Sequence, residues 1–274
     1  MTILLPNIKR FTLAVLCCII ATASYAQIDF KVGTGTTVNA QSEYPSPFPH
    51  YFKADRQQYL FPASELLAAG MFPGAILAIK WDVKHLATGS IRPYMGSEDL
   101  EIKIGSTSAT TLASGYVSGI NHVVLPKTNT MPVLGINAFT LPAPFVWNGT
   151  DNIVIEVCHG NLVEYTGNCG VEYTVVSGYD AFQYYATDAN GSQCATTTFN
   201  NSYTNRRPNT IFSMGIPCDS TLDSAVIVGP EHVCPNRKFK LFIGALPGKT
   251  VMTGATHQWQ YSDDGMSWAN YTGP

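Results

Sequence analysis

Six histidines, seven cysteines and a short run of oxygen-bearing side chains are the residues of this 274-residue chain whose types could support catalysis or hold a metal. His50, His85, His122, His159, His232 and His257 are scattered along the chain. No Gly-x-Ser-x-Gly elbow and no His-Glu-x-x-His helix joins them to a nucleophile or a zinc site. Triads do assemble from distant positions, yet the plainer reading is of surface or hydrogen-bonded histidines. Gly33-Thr34-Gly35 lacks the third glycine of a dinucleotide fingerprint, so it reads as a turn. Asp188, Asn190 and Ser192 alternate as calcium ligands do, but the further acidic positions of a calcium loop are missing, and a plain turn is favoured. No catalytic residue, cofactor or metal site is expected.

The cysteines point to a compartment. Cys158, Cys169, Cys194, Cys218 and Cys234 lie beyond the first 26 residues, and none of their spacings is Cys-x-x-Cys, so disulfides are expected rather than a zinc knuckle. Cys158, Cys169 and Cys194 can form one bridge among themselves. Ahead of them stands an export signal: Lys9 and Arg10, an apolar run over 11–21, and Ser24-Tyr25-Ala26, which predicts cleavage before Gln27. The run is too short to span a membrane, and no later stretch approaches the necessary length. Cleavage removes two positive charges and no negative ones, taking the formal net charge from −3 to −5. With 13% of residues charged and no basic stripe, nucleic acid is not an expected partner.

The elements that must position these residues are strands. Alternation is clear in Asp99-Leu100-Glu101-Ile102-Lys103-Ile104 and in 152–158, where Ile153, Ile155 and Val157 share a face; each predicts a strand with one buried face. Turn clusters such as 147–152 and 188–192 separate such runs. One short helix is expected, capped by Ser64, running over 65–69 and ended by Gly70. Tyr179, Phe182, Tyr184 and Tyr185, with Trp147, either fill a core or offer stacking faces to a sugar or peptide. Adjacent Tyr184 and Tyr185 must point to opposite sides of a strand. The fold class is therefore all-β: a jelly-roll-like sandwich over 27–217, followed over 218–274 by the opening strands of an incomplete immunoglobulin-like sandwich. In the latter, 225–228, 239–243 and 257–262 read as strands, and Asp263-Asp264-Gly265 turns a hairpin that continues through Trp268.

Several stretches carry a resemblance: Val32-Gly33-Thr34-Gly35-Thr36-Thr37, Arg56-Gln57-Gln58-Tyr59-Leu60-Phe61, Pro144-Phe145-Val146-Trp147-Asn148-Gly149-Thr150-Asp151-Asn152 with 153–158, and Arg207-Pro208-Asn209. So do Val233-Cys234-Pro235 and 257–265. Together they resemble large secreted proteins of bacteria with type IX secretion, in which an N-terminal sandwich precedes immunoglobulin-like or PKD-like modules and a C-terminal sorting domain. The resemblance implies an extracellular or outer-surface location, further domains C-terminal to this chain, and an adhesive or scaffolding role without catalytic residues. It also implies that Cys234 pairs with a cysteine beyond Pro274, a pairing open to Cys218 as well. Asp219-Ser220-Thr221 and Asp223-Ser224-Ala225 resemble the O-glycosylation signal of these bacteria, at Ser220 and Ser224; an ordinary polar linker is the alternative. The resulting expectation is a non-catalytic extracellular module that binds a glycan or protein. Its rivals are the targeting domain of a secreted hydrolase and a structural spacer.

Overall fold

In a computed structural model, the described residues are 26–87, 97–160, 167–189, 191–216, 226–228, 242–244, 260–261, 267 and 269–270. The chain divides into two units, one of which is Gln27–Ile216. Within it two antiparallel sheets face each other across a single apolar core, so this unit is an all-β sandwich.

The smaller sheet shows how period-two patterning builds the layers. Its order is β10 (Phe182–Thr187), β3 (Ala54–Phe61), β8 (Asn152–His159), β5 (Ser97–Thr107) and β6 (His122–Thr130). Leu100, Ile102 and Ile104 of β5 enter the core with Ile153, Ile155 and Val157 of β8 and Tyr59 and Phe61 of β3. Alternate residues of a strand point to opposite faces, so Val154 and Leu60 lie on the outer side, where they join Leu112 and Ile120 in a second apolar cluster. β8 is consequently buried on both faces from Ile153 to His159, not on one as its alternation predicted. The covering material is irregular chain, which has no periodicity for a sequence reading to detect.

The larger sheet centres on β4 (Gly74–His85), flanked by β12 (Thr210–Ile216) and β7 (Gly135–Trp147). β1 (Ala26–Val32) extends it beyond β12, while β9 (Gly170–Val175) joins β2 (Thr37–Val38), β11 (Arg206–Pro208) and the end of β4. Trp81, Ile79, Phe139, Phe212 and Met214 are among the residues this sheet sends into the core.

The helix α1 spans Ala63–Ala68, and Ser64 does not cap it. Pro62 is the N-cap, and the orphan amide of Ala63 donates instead to Asn152 Oδ1 at 2.8 Å, a tertiary cap no local pattern encodes. The C-terminus follows expectation: Gly70 has φ +92°, its amide donates to the Leu67 carbonyl and that of Met71 to Leu66, the Schellman arrangement. In the C-terminal part, β13 (Val226–Val228) pairs with β14 (Phe242–Gly244), and β15 (Gln260–Tyr261) with β16 (Ala269–Asn270). The signal segment, Cys218, Ser220, Ser224, Cys234 and the 263–265 turn lie outside the described residues.

Candidate interaction surface

The recurrent motifs are scaffold. Gly33-Thr34-Gly35 is a turn clamped against β9: the amides of Thr34 and Gly35 both donate to Thr174 Oγ1 at 2.9 Å, and Asn209 Nδ2 donates to the Gly35 carbonyl at 2.7 Å. A Cβ on Gly35 would stand 1.9 Å from the Tyr173 carbonyl oxygen, so glycine is required there by close approach. In Arg207-Pro208-Asn209, the buried Arg207 donates to the Leu60 carbonyl at 2.8 Å, pairs with Glu65 and covers the Phe61 ring. Trp147 is buried and donates to the Asp151 carbonyl, while Asn148 Oδ1 accepts from the amides of Thr150 and Asp151.

The Arg56-to-Phe61 motif splits by parity into two polar systems. Facing inward, Asp55 and Gln57 meet His159 at one end of the core. His159 Nδ1 lies 2.8 Å from Asp55 Oδ1 and its Nε2 3.1 Å from the Phe52 carbonyl, with both side chains fully buried. A carbonyl only accepts, so Nε2 carries a proton, and the contact with Asp55 needs a proton of its own. Burial pushes the Asp55 carboxyl above its ordinary value, opposed by His159 and Gln57. Gln57 Nε2 donates to Asp55 and to the Ser46 carbonyl, and its Oε1 accepts from Tyr59. With both ring nitrogens engaged, His159 braces the 46–52 loop against β3 and β8.

Facing outward, Arg56 gives Nε and one terminal nitrogen to Glu156 Oε2, at 3.0 and 2.6 Å, and another to the Thr196 carbonyl. Its guanidinium lies 4.2 Å from the centre of the Tyr116 ring. Gln58 donates to Glu156 and to the Val117 carbonyl and accepts from the Val117 amide, so its side chain serves the covering loop as a strand edge would.

The sequence-predicted residues divide as follows. Cys158, also on the outward face of β8, is bonded to Cys194 of the covering loop, with Cα atoms 5.4 Å apart. Cys169 lies buried in the core. Glu101 Oε2 is 3.7 Å from Cys158 Sγ, and Glu101, Cys158 and Cys194 form a compact donor group, but both sulfurs are committed to the disulfide. Phe182 and Tyr184 are buried in a stack with Tyr44 and Tyr59, whereas Tyr185 points the other way and is half-buried. Tyr179 is held by Glu65 and Arg207, and Trp147 belongs to the core. Phe182, Tyr184, Tyr179 and Trp147 therefore fill and brace the sandwich. Asp188 and Ser192 are exposed, while Asn190 falls outside the described residues.

Among the described residues, an exposed apolar cluster stands at the corner between β6 and β7. Residues 131–134 join β6 of one sheet to β7 of the other, and at this corner Met131, Val133, Leu134 and Ile136 are 57, 57, 62 and 50% exposed. The tip is built, since Asn137 Oδ1 accepts from the Val133 amide at 2.9 Å and Asn137 Nδ2 donates to the carbonyls of Val133 and Gly135 at 2.7 and 3.0 Å. Pro132 is buried beneath it. Four large apolar side chains on a braced turn form a patch of the kind that marks interaction sites. The signal was available in sequence as an apolar run broken only by the turn residues Pro132 and Gly135, a combination that argues against burial as a strand. Comparison of the chain with protein-family profiles, with curated proteins and with solved structures finds no match in any of the three.

Proposed function

We propose that this chain is a secreted or cell-surface binding module, without catalytic activity of its own, which attaches through the corner formed by 131–136. The supporting observation is the braced tip: solvent-facing Met131, Val133, Leu134 and Ile136 stand on a backbone that Asn137 locks. An exposed apolar cluster of this kind costs solubility, and it is kept where something covers it in function. The type IX resemblance adds an extracellular setting and an adhesive role to the reading.

The test is attachment of the labelled chain to intact cells and to glycan and protein arrays, run beside peptide, ester and glycoside hydrolysis assays. The expected result is attachment that falls when Leu134 and Ile136 are both changed to Ser, with no turnover. Turnover that persists through repurification and vanishes on replacing one histidine would overturn the proposal.

A further inference from the structure

Taking that binding reading as its basis, we infer that the partner of the 131–136 tip is the lipid surface of a membrane, into which the tip dips without spanning it. Three observations select this occupant.

The first is the accounting of backbone polar groups. Entry into hydrocarbon is costly for any amide or carbonyl left without a partner. At this tip Pro132 has no N–H, the Val133 N–H is given to Asn137, and the carbonyls of Val133 and Gly135 accept from the same side chain. One asparagine thus satisfies three backbone groups of a turn whose outward side chains are apolar.

The second is size. Stable protein–protein interfaces use about 20 to 30 residues a side. Here four residues project, and the sheet face that continues from them is laid with ion pairs: Lys84 with Asp82 at 2.7 Å, Lys80 with Asp29 at 2.7 Å and Lys31 with Glu172 at 3.1 Å. Among the described residues, an apolar protein interface has little surface to spread over from the tip. Shallow insertion into lipid needs no more than a few apolar side chains and tolerates a convex shape.

The third is charge. Lys127, on the β6 side of the tip, pairs with Asp99 at 3.3 Å, and Asp82, cross-strand from Ile136, pairs with Lys84. Among the described residues, these charges beside the tip are paired, with no unbalanced sign toward the membrane. Insertion should accordingly depend on apolar burial and little on anionic lipid or salt.

The experiment is flotation of the whole chain with phosphatidylcholine vesicles, with and without phosphatidylserine, at low and high salt. The expected result is co-flotation that changes less than about twofold between salt conditions and falls roughly tenfold or more in Leu134→Ser/Ile136→Ser, as loss of buried apolar side chains requires. Val175→Ser, which removes an equally exposed apolar residue elsewhere, should float as the parent does. Asn137→Leu makes the chain more apolar but strips the tip of its brace, so it should float less; circular dichroism confirms that each variant is folded. Failure of the folded parent to float, flotation equal in parent and double variant, stronger flotation of Asn137→Leu, or flotation abolished by salt would each overturn the inference. Tip-dependent attachment to cells or arrays without vesicle binding would overturn the lipid assignment alone and leave the binding reading standing.

Discussion

Asp55 shows how a residue type suited to chemistry is spent on structure. Its carboxyl is fully buried, with one oxygen to His159 and the other to Gln57, and burial raises its proton affinity. A carboxyl whose pKa is raised on folding keeps a proton that the unfolded chain has already lost. The stability it contributes is therefore complete below the ordinary carboxylate value of about 4 and is lost as pH rises through the folded value. Replacing Asp55 by Asn sets an amide donor toward Gln57 Nε2 or His159 and should cost about 1–3 kcal/mol. The difference in unfolding free energy between parent and Asp55→Asn, measured by urea denaturation, should be largest at the acidic end of this range and shrink as pH rises; an opposite slope would refute the assignment. Glycine positions give a second test at this scale. Gly35→Ala drives a Cβ into the Tyr173 carbonyl and should cost at least about 3 kcal/mol. Gly119→Ala, at φ +78° with nothing within 4 Å, should cost only the left-handed conformer, about 1 kcal/mol. Thermal denaturation of the two variants separates them.

At the scale of elements, the outer covering of the smaller sheet has the most to reveal. The loop that carries Cys194, Thr196 and Asn200 has little secondary structure of its own and is tied down by the disulfide, by Arg56 and by the Asn200 amide on the Tyr184 carbonyl. In the chain-entropy account, closing the 36-residue separation between Cys158 and Cys194 is worth about 4 kcal/mol. Reduction, or Cys158→Ala with Cys194→Ala, should lower unfolding free energy by about that amount. Non-reducing peptide mapping should find Cys158 joined to Cys194 and Cys169 outside the bridge; any other pairing among the three contradicts the arrangement. Strand existence was legible because Leu100, Ile102 and Ile104, or Ile153, Ile155 and Val157, repeat with period two. The double burial of β8 and β3 was not, because Arg56, Gln58 and Glu156 are polar residues whose partners lie about 60 to 140 positions away. The same distance hid the Asn152 cap of α1. One cysteine bridge within the first three was expected from number and neighbourhood, while its choice of partners depended on the outward parity of Cys158. The tip at 131–136 was open to notice, yet attention to residues that do chemistry passes over a run that is only apolar.

At the largest scale, the 27–216 unit is an all-β sandwich, stiffened by buried polar networks, that holds a small apolar corner toward solvent. Methionine is the natural reporter, because Met131 stands at the corner while Met71 and Met214 are buried in the core, 3 and 0% exposed. The decisive measurement is oxidative footprinting of the whole chain, free and in the presence of phosphatidylcholine vesicles, read by peptide mass spectrometry. The expected result is fast oxidation of Met131 in the free chain against slow oxidation of Met71 and Met214, and protection of Met131 when vesicles are added, with Met71 and Met214 unchanged. Met131 as slow as the two core methionines in the free chain, or equally fast with and without vesicles, would contradict it.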